Sequence, residues 1–189
     1  VVKAADDVTN TSNGTINVNS AAGRQNIAMR VDKGSVPTDA PGTPKAINGG
    51  NIYLDGDSSI GIVGTNADVK NTGNIETTTS KTIINGIGMA TRGGVLENSG
   101  TINLKGSGVS SNIGVYMVKG TSNPSGTLAS TSIIKVKGDD STGALISNGT
   151  LNYGGSTAAE GDGVTGLIIG DNGSNTAAVT VASSGTVTV

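Results

Sequence analysis

The chain has 189 residues, of which 34% are hydrophobic, only three are aromatic and 31 are glycine. It contains neither cysteine nor histidine, which excludes disulfide frames, thiolate metal sites and nucleophile pairs that depend on histidine. The 12 basic and 14 acidic residues leave a net charge of −2, so no nucleic-acid partner is predicted. These totals favour a protein that is not an enzyme and that has no cofactor or metal ion.

Along the chain, one tripeptide recurs: glycine, then threonine or asparagine, then an aliphatic residue. Its glycines lie 23 to 36 residues apart, at Gly14, Gly50, Gly73, Gly100, Gly126, Gly149 and Gly185. Seven copies at such intervals indicate a repeat whose units carry loops of different length.

Each tripeptide opens a short segment in which apolar and polar residues alternate, as in Ile52-Tyr53-Leu54 and Ile102-Asn103-Leu104. A turn then leads to a second apolar run with an internal glycine, as in Ile113-Gly114-Val115. Alternation of this kind predicts strands with one buried face, and therefore at least two strands in each unit. The register is open in one unit, because either Leu128 or Ile134 can begin its first strand.

The pattern favours an all-β fold, a right-handed parallel β-helix, over a β-sandwich or a propeller. No window shows sustained helical spacing of apolar residues, and the paired hairpins and aromatic signatures of the rival folds are absent. A narrow column of small aliphatic side chains suits stacked coils. Asparagines before the strands, at Asn13, Asn48, Asn71, Asn98 and Asn148, are expected to occupy corners and to form hydrogen-bonded ladders.

We predict one β-helical segment over residues 1 to 189, with about six to seven rungs and a length of roughly 30 Å. Three stretches rich in proline or in small polar residues are predicted to protrude as loops, near 31–47, 119–131 and 154–163. No apolar stretch approaches the roughly 20 residues that span a bilayer, so no membrane insertion of this segment is expected. The chain shows no signal peptide, and we expect it to be a fragment of a longer protein.

Strand parity places Tyr53 and Tyr116 on the outer surface, where an exposed aromatic ring can bind a ligand such as a carbohydrate. The same parity buries Tyr153. Two acidic turns, Asp55-Gly56-Asp57 and Asp139-Asp140, are the alternative candidates, since paired carboxylates can act on sugars. Aspartate is common in turns, and the ordinary interpretation of both segments is structural.

The segments Asn98-Ser99-Gly100-Thr101-Ile102-Asn103-Leu104 and Ser111-Asn112-Ile113-Gly114-Val115-Tyr116 resemble repeats in the passenger domains of type V autotransporter adhesins, especially the large fusobacterial ones. The similarity extends from about Ser12 to Val189. It implies export to the bacterial cell surface, or secretion, with anchoring through a C-terminal β-barrel that this chain lacks.

By that resemblance, the expected function is attachment to host-cell glycans or proteins, or to surface proteins of other bacteria. Two alternatives remain: a structural stalk that binds nothing, and a β-helical polysaccharide-degrading enzyme or phage tail-spike. The enzyme alternative requires the two acidic turns to converge across a cleft about 5 to 10 Å wide.

Overall fold

The computed structural model describes residues 2–4, 7–19, 25–34, 43–170 and 177–189. Within these residues the chain forms 21 strands and no helix, and every strand pairing is parallel. With no helix, the described part of the chain contains no helical segment that could cross a membrane. The predicted all-β fold, a parallel β-helix, is confirmed. Its right-handed sense stays a prediction.

The strands form three sheets, each with seven strands. Sheet 1 contains β1 (Val2–Ala4), β4 (Asn26–Asp32), β7 (Ser59–Thr65), β10 (Ile87–Arg92), β13 (Ile113–Val118), β16 (Thr142–Ile146) and β19 (Thr165–Ile169). Sheet 2 contains β2 (Val8–Asn10), β5 (Lys45–Asn48), β8 (Asp68–Asn71), β11 (Val95–Asn98), β14 (Ser125–Leu128), β17 (Gly149–Tyr153) and β20 (Ala177–Val181). Sheet 3 contains β3 (Thr15–Val18), β6 (Asn51–Leu54), β9 (Asn74–Glu76), β12 (Thr101–Val109), β15 (Ile133–Asp139), β18 (Ser156–Glu160) and β21 (Thr186–Thr188).

One coil consists of three consecutive strands, one from each sheet, and each strand pairs with its equivalents in the neighbouring coils. The first coil is β1 to β3 and the fourth is β10 to β12. Adjacent strands in a sheet lie about 4.8 Å apart, so the sheets run along a rod of roughly 30 Å. The sequence predicted at least two strands in each unit, and the structure has three.

The tripeptide repeat marks sheet 3 in five of its seven copies. Ile16, Ile52, Ile75 and Ile102 are direct partners in this sheet. The copies at Gly126 and Gly149 lie instead in sheet 2, within β14 and β17. Ile134, and not Leu128, is the partner of Ile102, which settles the register that the sequence left open.

The core is a column of aliphatic side chains enclosed by the three sheets. Ile52, Ile75, Ile102 and Ile134 are at most 1% exposed. These residues occupy equivalent positions, so each packs on its copies one coil above and below. Tyr153 is 1% exposed, as its strand parity predicted.

All three predicted loops overlap strands. In 119–131, residues 119–124 form a loop, β14 occupies Ser125–Leu128, and residues 129–131 belong to a turn. Within 154–163, β18 follows an alternating pattern in which Thr157 and Ala159 face the core. Their small size hid this pattern in the sequence. In 31–47, β4 continues to Asp32 and β5 begins at Lys45, and residues 35–42 lie outside the described part.

Candidate binding surfaces

The two tyrosines predicted to bind a ligand lie on different sheets. Tyr53 belongs to β6 in sheet 3, where its partners are Asn17 and Glu76. Tyr116 belongs to β13 in sheet 1 and lies between Ala90 and Leu145. Both rings are partly exposed, and their inward-facing strand neighbours are buried. The tyrosines therefore face outward as predicted, but they do not form one shared platform.

Tyr116 lies in a row of outward apolar side chains that crosses five coils of sheet 1. This row, the sheet 1 strip, consists of Val63, Ala90, Tyr116, Leu145 and Ile168. Four of its members are partly exposed, and Ala90 is 7% exposed. The strip is about 19 Å long at the spacing of neighbouring strands. Sequence analysis missed it because its members are 23 to 29 residues apart, within runs interpreted as core.

A polar groove follows the corner between sheets 1 and 2. This corner groove encloses about 560 Å³ and takes its lining from four successive coils. Its main lining residues are Lys33, Asn66, Asp68, Val95, Ser122 and Asn123. Sequence analysis missed this site as well, because no motif connects residues that are up to 90 positions apart.

One wall of the groove is the loop at residues 119–124, which folds back over two coils. The amide and the hydroxyl of Thr121 both donate to the Asn66 side-chain oxygen, at 2.8 and 2.9 Å. Asn66 itself adopts a left-handed backbone, with φ at 50°, a conformation that asparagine tolerates better than most residues. The corner between them is formed by Gly93 and Gly94, both with positive φ. This arrangement fixes the loop beside the groove.

A second, smaller depression of about 290 Å³ continues from the corner groove onto the outer face of sheet 2. The two concave regions share Asp68 and Val95. A third, of about 260 Å³, begins at Asn123 and Ser125 and continues towards the last coil. The corner groove and the third depression follow the axis of the rod, and the second depression lies beside the groove.

The charges along this path are mostly paired. The ammonium of Lys70 lies 2.9 Å from the Glu97 carboxylate, with both side chains about half exposed. The Asp68 carboxylate accepts from the amide of Val95 at 2.9 Å. Lys33 and Lys45 are exposed and form no ion pair with any residue that the structure describes. Asp68 keeps its negative charge, so the corner groove and the second depression together are lined by three lysines and two carboxylates, a net charge of +1.

The acidic turns are structural. The carboxylate of Asp55 accepts from the amide and hydroxyl of Thr78, and that of Asp57 accepts from the amide of Ile84. Asp139 accepts from the amide of Asp162 in the next coil. The two turns belong to the second and fifth coils, about 14 Å apart along the axis. The four carboxylates thus do not converge as the enzyme alternative requires.

Other charged groups are dispersed. Within the described ranges no cluster of three or more acidic side chains could hold a metal ion. The guanidinium of Arg30 pairs with Asp32 at 3.3 Å, and Arg92 lies two coils away in the same sheet. Arg24 lies outside the described residues.

Comparison with known proteins finds no matching family model, no similar curated protein and no similar solved structure. The fold and surfaces define the chain as a β-helical repeat protein with an apolar strip on one face and a polar groove along an adjacent corner.

Proposed function

We propose that this chain is part of a bacterial surface adhesin similar to type V autotransporter passengers. In this proposal the β-helix is a rigid rod that attaches to host-cell glycans or proteins, or to surface proteins of other bacteria. A C-terminal β-barrel of the longer protein anchors it in the outer membrane. The observation that supports the proposal is the sheet 1 strip around Tyr116.

The strip has the properties of a contact surface. Apolar side chains in a continuous outward row are costly to leave in water, and such patches on soluble proteins commonly mark interaction sites. Tyrosine combines a large apolar ring with a hydroxyl group and has few rotatable bonds, so it is a frequent anchor of interfaces. The parallel sheet beneath holds the row straight, since the strands from β7 to β16 are each paired on both sides.

Binding of the purified chain to host cells and to other bacteria tests the proposal. Tyr116→Ala should weaken attachment about tenfold, because an anchoring aromatic contributes on the order of 1.4 kcal/mol or more. Tyr53→Ala is the matched control, since it removes an equally outward ring from sheet 3. Circular dichroism establishes that both variants remain folded.

A folded protein that attaches to none of these cells would contradict the adhesin proposal and favour the structural stalk. Equal losses in the two tyrosine variants would show that the strip is not the contact surface. No observation favours the enzyme alternative, because the carboxylates that it named cap the backbone of neighbouring coils.

A further inference from the structure

We propose that the corner groove binds an acidic oligosaccharide, that is, a chain of sugar rings with carboxylate or sulfate substituents. This inference deepens the proposed function and rests on it, because it assigns one ligand class and one site to the surface of the adhesin. The site is separate from the sheet 1 strip, since the groove lies over the corner and the outer face of sheet 2.

The polar side chains of the groove are available for a ligand. Ser122, Asn123 and Ser125 are exposed, and their side chains make no hydrogen bond with any other described residue. A side-chain amide and two hydroxyls can each donate and accept. Sugar hydroxyls require both kinds of partner, which favours a saccharide over a ligand that only accepts hydrogen bonds.

The position of these groups is fixed in advance. Thr121, directly before Ser122, is bound through two hydrogen bonds to Asn66. Ser125, directly after Pro124, begins β14, and its amide donates to the Gly94 carbonyl at 3.1 Å. Groups held in place before binding lose less conformational entropy when a ligand binds.

The lining of the groove and the adjoining depression favours an acidic ligand, because its three lysines outnumber its two carboxylates. Glu97 pairs with Lys70, and the Asp68 carboxylate, which keeps its charge, accepts from the amide of Val95. The ammonium groups of Lys33 and Lys45 remain, one beside the corner groove and one beside the adjoining depression. A carboxylate or sulfate beside either ammonium gains a favourable charge interaction that a neutral sugar lacks.

The shape of the site indicates an extended ligand. The volume of about 560 Å³ lies within the range of roughly 300 to 1,000 Å³ that is typical of small-ligand sites. The concave path continues towards the last coil through the third depression, and the second depression widens it onto sheet 2. Val95 and Ile47 contribute apolar surface to its floor, on which the C–H faces of sugar rings can pack. A linear saccharide fits this path better than a compact metabolite.

Titration of the intact chain with three oligosaccharides of equal length tests the inference: a sulfated one, a polyuronate and a neutral glucan. Binding of the sulfated or uronate chain, with affinity that falls as salt is raised, is the expected result. The neutral glucan should bind at least about fivefold more weakly, the factor that corresponds to one exposed charge interaction. Equal binding of all three would overturn the assignment of an acidic ligand.

Three variants locate the site. Lys45→Gln and Asn123→Ala should each weaken binding about fivefold, the loss expected for one exposed ion pair or hydrogen bond. Lys135→Gln is the matched control, because Lys135 is an exposed lysine on sheet 3 that forms no ion pair with a described residue. An equal loss in the control would indicate diffuse charge attraction and overturn the groove. Competition by an oligoglutamate peptide as strong as that by the saccharide would also overturn it.

The two proposals fail separately. A protein that attaches to cells through Tyr116 but binds no acidic saccharide contradicts the groove alone. A protein that binds the saccharide through Lys45 and Asn123 but attaches to no cell contradicts the adhesin proposal alone.

Discussion

Buried asparagines connect the coils residue by residue. The side-chain amide of Asn10 donates to Asn48, that of Asn48 to Asn71, and that of Asn71 to Asn98, at 2.7, 2.8 and 2.8 Å. The last amide donates to the hydroxyl of Ser132 at 2.6 Å. Each amide also reaches a backbone carbonyl, so these polar groups are buried at little cost. This asparagine ladder fixes the register of neighbouring coils.

Replacement of Asn71 by alanine should destabilise the protein by about 3 kcal/mol. The change removes two hydrogen bonds within the ladder and leaves the amide of Asn48 and the oxygen of Asn98 without these partners in a buried site, at about 1 to 3 kcal/mol each. The free energy of unfolding in urea measures the loss. Asn103→Ala is the control, since Asn103 is partly exposed on sheet 3 and should change stability by less than about 0.5 kcal/mol. Similar losses in both variants would contradict the ladder as a source of stability.

Tyr153 makes stability depend on pH in alkaline solution. Burial raises the pKa of its phenol above 10.0, although the nearby Thr157 hydroxyl acts in the opposite direction. The phenol donates to the carbonyl of Thr186 at 2.8 Å, which an ionised oxygen cannot do. Because the pKa of Tyr153 is higher in the folded than in the unfolded state, the neutral phenol stabilises the fold fully below about pH 10, its unfolded pKa. This stabilisation is lost as the pH rises through the pKa of the folded state.

Urea unfolding at pH 8 and above pH 10 checks this expectation. The wild-type protein should lose more stability over this interval than Tyr153→Phe, which has no group to ionise. An identical pH dependence in the two proteins would contradict the assignment to Tyr153.

The sequence predicts only some of the residues that form the asparagine ladder. Asn48, Asn71 and Asn98 were expected at the corners, and they form it. Its first member is Asn10 and not Asn13, because the inward position is the last residue of β2. The ladder ends where Leu128 and Tyr153 take the same row. Asn148 instead accepts from the amide of Lys119. Which asparagine faces inward depends on pairing between coils, which local sequence does not specify.

Each strand of sheet 1 from β7 onward carries a glycine where it packs most closely on sheet 3. A Cβ atom at Gly88 would lie 2.5 Å from the Ile102 side chain and 2.6 Å from the Gly114 carbonyl oxygen. The corresponding glycine in β7, Gly61, has the same relation to Ile75. Glycine at this position therefore makes room for the isoleucine column of the core.

Gly88→Ala should cost about 3 kcal/mol, because the added methyl group meets backbone that cannot move without disturbing the ladder of sheet 1. Gly34→Ala is the matched control, since the nearest atom to its added Cβ would be 3.9 Å away. Thermal unfolding compares the two, and the melting temperature should fall by several degrees only for Gly88→Ala. An unchanged melting temperature would show that the strands can separate to accept the methyl group.

Among the elements, sheet 3 is predicted best from sequence and sheet 2 worst. Strands of sheet 3 alternate cleanly, as in β6, where Ile52 and Leu54 face inward. In sheet 2, β8 offers only Val69 as an apolar inward residue, and its other inward position is Asn71. With one aliphatic and one amide side chain at its inward positions, β8 lacks the alternation of apolar and polar residues that predicts a strand. The corner groove depends on this sheet and on loops from distant coils, so it could not be predicted either.

Across the whole molecule, coils interact mainly with their nearest neighbours. Every strand pairing joins equivalent strands of adjacent coils. The loop at 119–124 departs from this rule, since Thr121 in the fifth coil binds Asn66 in the third. Stability in such an array is approximately a sum over coils and their interfaces, so the length of the rod can change without a change of fold.

Deletion of residues 74–100 should leave a folded rod that is one coil shorter. The deletion joins Gly73 to Thr101, the residue that pairs with Asn74 in sheet 3, so every later strand moves to the equivalent position one coil below. Ile102 then stacks on Ile52, and Asn71 can replace Asn98 as the donor to Ser132. We expect a β-type circular dichroism spectrum and one cooperative urea transition. Its m-value should fall by about one seventh, because 27 of 189 residues are removed.

Deletion of residues 74–87 is the control for this experiment. It removes about half a coil and joins Gly73 to Gly88, so that a sheet 1 strand enters sheet 3. Every later strand would then pair with a strand of a different sheet. Its inward-facing side chains would no longer stack on those of the coil below. This variant should lose its cooperative transition. If both deletions unfold the chain, the loop bound by Asn66, or another contact beyond nearest neighbours, contributes more to stability than the stacking of coils.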